Sequence, residues 1–126
     1  MRQPIQTEQA PKPKAPYSQA ILCSGRYLFI SGQGPVDPQT GNSVGESFEA
    51  QATRTFENLQ AVAEAGGASL KDFVKVTAYL NDMGNFAQYN EVYRRYFSEP
   101  YPARTTVHSA LVGMMIEVDG IAVLGD

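Results

Sequence analysis

Residues 47–80 read SFEAQATRTFENLQAVAEAGGASLKDFVKVTAYL, and within them the hydrophobic period changes once. Over the first part Phe48, Ala52, Phe56, Leu59 and Ala63 recur at spacings of three and four, with Glu49, Arg54, Glu57 and Gln60 on other faces. That is the stripe of an amphipathic helix, and Gly66-Gly67 is its stop signal. From Phe73 to Leu80 the period falls to two. Val74, Val76, Ala78 and Leu80 alternate with Lys75, Thr77 and Tyr79, the pattern of a strand with two unlike faces.

Towards the N-terminus, Ala20–Cys23 and Tyr27–Ile30 are short apolar runs separated by Ser24-Gly25-Arg26, a hairpin signal. Ser31-Gly32-Gln33-Gly34-Pro35 ends the second run, and residues 37–42 are a turn by composition. Residues 1–15, rich in Pro, Gln and Lys, are expected to form a mobile arm, with the folded domain over 16–126. Towards the C-terminus, Asn85–Phe97 reads as a second helix with Phe86, Tyr89, Tyr93 and Phe97 on one side. Pro100 and Pro102 separate it from two final strands, about 104–110 and 114–124. The order β-β-α-β-α-β-β predicts a single α+β domain, one mixed sheet with both helices packed on one face.

Composition narrows the function classes. A chain of 126 residues suits one domain, and so small a domain gains from the further burial of a subunit interface. The net charge is −3, and the nearest approach to a basic cluster is Arg94-Arg95. Phosphate backbones need a concentrated basic footprint, so nucleic acid is not an expected partner. Cys23 is the lone cysteine and His108 the lone histidine, which leaves too few soft ligands for an expected metal site. No apolar run has the length of a membrane span or of a secretory signal, so the expected setting is cytoplasmic and away from membranes.

Four features could carry chemistry. Arg104 follows Tyr101-Pro102-Ala103 at the start of a strand, where a fixed guanidinium suits a two-point grip on a carboxylate. Taken alone, a surface arginine at a strand end is the commoner case. Glu117 shares a strand face with Asp119, opposite Ile116 and Val118; most such carboxylates are simply solvated. Asn90 stands in helical register with Phe86, Tyr93 and Phe97, so its amide needs a partner at or beside the apolar face. Tyr17-Ser18 and Ser31-Gly32 sit at strand edges, where small and hydroxylated residues let a ligand approach the backbone, or merely form turns.

Together these residues fall into a known pattern. Pro16-Tyr17-Ser18-Gln19-Ala20, Phe29-Ile30-Ser31-Gly32-Gln33, Asn58-Leu59, Asn90-Glu91-Val92-Tyr93, Pro102-Ala103-Arg104-Thr105-Thr106-Val107 and Ile116-Glu117-Val118 resemble the motifs of the RidA/YjgF family, in order, from about Ala15 to Val123. The resemblance implies a chorismate-mutase-like fold and a homotrimer with its sites in the clefts between subunits. It also implies hydrolysis of reactive 2-imino acids and enamines, such as 2-iminobutyrate and 2-iminopropanoate, to 2-keto acids and ammonia, with no metal or organic cofactor. Within it Arg104 matches the residue that binds the substrate carboxylate, and Glu117 the one that positions and activates water. Tyr17, Ser31, Gly32, Asn90 and Thr106 match positions that line the cleft. Thr106 stands where the archetypal group carries a cysteine, and Val107–Ile116 is about two residues shorter than in that group.

Other functions are implied for relatives of this kind. A dedicated deaminase for a larger enamine would draw its specificity from the shortened segment and Tyr89. A ligand-sensing or protein-binding trimer would use the same cleft without turnover. Relatives are also described as ribonucleases, against which the acidic composition weighs.

Overall fold

The computed structural model describes residues 1–125; Asp126, counted in the expected domain, lies outside the described residues. Six strands and two α-helices follow one another: β1 (Arg2–Ile5), β2 (Ala20–Cys23), β3 (Arg26–Gln33), α1 (Phe48–Ala65), β4 (Phe73–Leu80), α2 (Phe86–Tyr96), β5 (Ala103–His108) and β6 (Ile116–Leu124). The α+β class and the seven expected elements are present, and an eighth precedes them.

That eighth element corrects the reading of residues 1–15 as an arm over part of its length. Arg2–Ile5 pairs antiparallel with Ala20–Cys23 as a separate two-stranded ribbon. The Arg2 guanidinium secures it, donating to the carbonyls of Phe73 at 2.9 Å and Pro100 at 2.8 Å. The expected β2–β3 hairpin does not form. Gly25, with φ +141°, turns the chain out of the ribbon and into the larger sheet, a conformation that glycine adopts without strain.

The larger sheet has the order β3-β6-β4-β5. β6 runs antiparallel to both of its neighbours, and β5 runs parallel to β4. The crossover through α2 explains the parallel pair, since a helix between two adjacent strands returns the chain to the end where it started. β5 therefore takes the sheet edge, and β6 fits between β3 and β4. The last two strands are not neighbours.

Strand alternation divides this sheet into two unlike faces. Val76, Ala78, Leu80, Ile116, Val118 and Ala122 are fully buried beneath the helices. α1 meets them with Ala52, Phe56, Leu59 and Ala63, the stripe visible in the sequence. Ser47 caps its start, accepting from the Ala50 N–H at 3.1 Å, and Gly67 closes its end at φ +85°. Phe56 anchors the core, with the rings of Tyr96, Tyr93, Phe97 and Tyr89 at 5.4, 5.8, 5.9 and 6.2 Å. The opposite face bears Lys75, Thr77, Tyr79, Glu117 and Asp119, and at its β3 margin Tyr27 and Phe29 are 51% and 73% exposed. Among the described residues no helix is long and apolar enough to cross a membrane.

Candidate functional site

Arg104 lies on β5 opposite Val76, so its side chain enters the helix-facing side of the sheet. Pro102 prepares this placement: its carbonyl accepts from the Ser18 N–H at 3.1 Å, and Ser18 bridges Ala103, which lays Tyr17 beside the strand. Four aromatic rings surround the guanidinium. Its central carbon stands 4.8 Å from the ring centroid of Tyr93, 5.0 Å from Tyr89, 5.7 Å from Tyr17 and 5.9 Å from Phe86. Rings at these distances attract a cation electrostatically and hold its plane. No carboxylate pairs with Arg104 among the described residues.

The corner is rich in unsatisfied polar atoms. Arg104 Nη1, Thr106 Oγ1, Asn90 Oδ1 and the hydroxyls of Tyr89 and Tyr93 are buried without a hydrogen-bond partner among the described residues. Thr106 lies on the same face as Arg104, two residues along β5. Burial pushes the Tyr89 phenol up to about 12, against the opposing pull of the Arg104 cation and the neighbouring Thr106 hydroxyl. Burial likewise drives the Tyr93 phenol upward. Both are neutral at pH 7 and able to donate.

Glu117 stands elsewhere. It lies on β6 opposite Tyr79, on the face away from the helices. Arg104 and Glu117 are thus on opposite faces of the sheet within one chain. β4 separates the last two strands, so they form no hairpin that could aim both side chains into one cleft of a single chain. What the chain does build around Glu117 is a bulge in β3. Ile30 pairs with Gly120 and Gln33 with Val118, so Ser31 and Gly32 together oppose Asp119 alone. A Cβ at position 32 would overlap the Glu117 carboxylate, so glycine there is what lets the side chain lie across the bulge. Beside it the Tyr79 hydroxyl donates to Asp119 Oδ2 at 3.1 Å, and this bond raises the Tyr79 phenol above its ordinary value, with burial adding to the effect.

The seven residues singled out in the sequence therefore fall into two sets. Tyr17, Arg104 and Thr106 gather with α2, which carries Asn90, at the aromatic corner. Ser31, Gly32 and Glu117 gather at the bulge. Asn58, which belongs to another of the motifs, holds a loop: its amide donates to the carbonyls of Val36 at 2.8 Å and Gly34 at 3.0 Å. Phe86 and Tyr93 escaped the sequence reading as site residues, because helical spacing alone cannot separate a ring packed on core from a ring packed on a cation.

Comparison with other proteins bears on the identity of this arrangement. Residues 7–124 match the family described as Endoribonuclease L-PSP. A RutC family protein of Pyrococcus horikoshii is 48% identical over 124 residues, covering 97% of this chain and 98% of that one. RidA from an Antarctic Psychrobacter superimposes with a TM-score of 0.75 at 44% identity, over 97% of this chain and 99% of its own. TdcF of E. coli, solved with bound serine, gives a TM-score of 0.74 at 37% identity, over 98% and 99%. With its motifs in order and its fold shared across nearly its whole length, the chain belongs to the Endoribonuclease L-PSP family, which takes in the RidA/YjgF and RutC proteins.

Proposed function

We propose that this protein hydrolyses reactive 2-imino acids and their enamine tautomers to 2-keto acids and ammonia, in sites formed between copies of the chain in a homotrimer. The observation that carries the reading is the Arg104 guanidinium, held by four rings, with a buried nitrogen unpaired and no carboxylate partner among the described residues. A cation kept in such a nest is complementary to a ligand carboxylate. The family member TdcF of E. coli binds serine, a ligand with that group.

In this reading one chain supplies Arg104, Tyr17, Thr106 and Asn90 to grip and orient the substrate. A neighbouring chain supplies Glu117, with Ser31 and Gly32 at the bulge presenting backbone. The substrate carboxylate on Arg104 fixes the adjacent C=N carbon. Glu117 then accepts a proton from water as the water oxygen bonds to that carbon and the C=N π pair moves to nitrogen. Glu117 returns that proton to the nitrogen, and the carbinol oxygen then gives its own proton through the same carboxylate to the departing nitrogen, so that the C–N bond breaks with release of ammonia and leaves the 2-keto acid. The chemistry requires no metal or organic cofactor. Tyr27 and Phe29 support the assembly, being large apolar side chains left exposed on the face that carries Glu117. RNA cleavage, which the family's description names, finds less support in a chain of net charge −3.

The test generates 2-iminobutyrate or 2-aminoacrylate with a dehydratase and follows imine loss with and without this protein, with light scattering in parallel. Accelerated loss by a trimer is expected. A monomer at micromolar concentration, or an unchanged rate of imine loss, would defeat the reading.

A further inference from the structure

Tyr89 does more than the packing its helical register requires. Its ring is fixed by Tyr93 at 5.7 Å, Phe56 at 6.2 Å and Phe86 at 6.4 Å, and it is fully buried. A phenylalanine would make all of those contacts. The hydroxyl is the surplus group, and among the described residues it stands buried without a hydrogen-bond partner. A buried hydroxyl left unpaired destabilises a fold, so its presence in the best-packed part of the molecule calls for a partner at some point in the protein's working cycle.

Two groups stand ready beside it. The Arg104 guanidinium carbon lies 5.0 Å from the Tyr89 ring centroid, Thr106 follows Arg104 on the same face of β5, and each has a buried atom without a partner among the described residues. A hydroxyl can accept one hydrogen bond while donating another. A guanidinium turned so that Nη1 faced the Tyr89 oxygen would donate to it while the phenol donated to Thr106. That closure fixes the plane of the guanidinium from its inner side and leaves the other nitrogens to the ligand.

We infer that the Tyr89 hydroxyl is a positioning group for Arg104, closing onto Nη1 when a carboxylate binds and orienting the guanidinium for a two-point grip. The inference rests on the reading of Arg104 as the carboxylate site. It separates the cost of an unpaired hydroxyl in the free protein from its use in the bound one.

Tyr89→Phe tests it, because the ring stays and only the hydroxyl goes. Titration with 2-ketobutyrate should show Kd weakened about ten-fold, the scale of one charge-assisted hydrogen bond. With the imine substrate KM should rise by a similar factor, and kcat should fall much less. The melting temperature of the free variant should equal or exceed that of wild type, since an unpaired polar group has been removed. Tyr89→Leu, which loses the ring as well, should bind more weakly still and melt lower. Unchanged 2-ketobutyrate affinity in Tyr89→Phe overturns the inference. So does a lower melting temperature with affinity intact, which would make the hydroxyl purely structural. A wild-type protein that binds no 2-keto acid overturns the carboxylate-site reading itself, and this inference with it.

Discussion

The two faces of the four-stranded sheet place a charged group by opposite means. On the helix side Arg104 is held by bulk: four aromatic rings stand around the guanidinium, and its Nη1 is buried among them. On the other side Glu117 is placed by absence: a glycine in a bulge leaves the room its carboxylate occupies. The difference suits the chemistry proposed for each. A cation that recognises an anion gains from low dielectric and fixed geometry. A general base must admit water, and a carboxylate beside a bulge on an open face can do so. Because the sheet lies between them, the proposed function draws its two charged groups from two copies of the chain.

The largest effect expected is at the aromatic corner. Arg104→Ala should lower kcat/KM for imine hydrolysis by about 1,000-fold, as loss of an essential orienting charge does, while the oligomer and its melting temperature change little. Arg104→Lys should fail nearly as badly, because an ammonium cannot reproduce a planar fork. Near wild-type rates for the alanine variant would remove the corner from the mechanism.

Glu117→Gln comes next and isolates the open face. Turnover should fall about 100-fold or more, since an amide cannot take the proton from water, whereas affinity for 2-ketobutyrate should be retained through Arg104. Mixing the two inactive variants then probes the comparison itself. Randomly reassembled trimers of Arg104→Ala and Glu117→Gln chains should recover about a quarter of the wild-type sites, because some clefts take Arg104 from one variant and Glu117 from the other. Recovery of nothing from trimers verified as mixed would place both groups in the same chain.

Gly32→Ala should show a smaller loss, about 10- to 100-fold in kcat, with ligand binding at Arg104 less affected. The added methyl must displace the Glu117 carboxylate, and a misplacement of about 1 Å costs rate on that scale. An unaffected kcat would mean that the bulge does not set the position of Glu117.

The smallest expected effect is in stability at high pH. The unfolded phenol ionises near its usual value of 10.0, whereas folded Tyr89 holds its proton to about 12. The folded state thus binds more protons in that window, so this phenol leaves stability independent of pH below 10 and lowers it as pH rises from 10 towards 12. Urea unfolding at pH 9 and pH 11 should give a steeper loss for wild type than for Tyr89→Phe. Equal losses would show that the corner does not keep the phenol neutral.

Much of the fold was legible because it rests on local periodicity. The strand over Phe73–Leu80 stands where alternation put it, and the α1 stripe buries the residues its spacing selected. Arg2–Ile5 was not legible, since its residues carry no alternating pattern and its partner lies some twenty positions away. The site was legible as residue types in ordered motifs, and Arg104 and Glu117 stood out on that basis. The ring nest was hidden in a helical stripe that looks the same whether it covers core or cation. The bulge was hidden because Ser31-Gly32 reads equally well as the end of a strand.

The sequence by itself determined which segments become helices and strands, because the spacing of apolar side chains answers to repeats of 3.6 and 2 residues that each segment carries within itself. It also supplied the residues of the proposed site, from the Arg104 fork to the glycine at position 32. Only the tertiary structure decided which strand lies beside which, and so which charged groups share a face. A side chain's face depends on the register of its strand against partners far along the chain. β6 passes between β3 and β4 while β5 is carried to the edge by the α2 crossover, and this pairing sets Arg104 and Glu117 back to back across a single sheet.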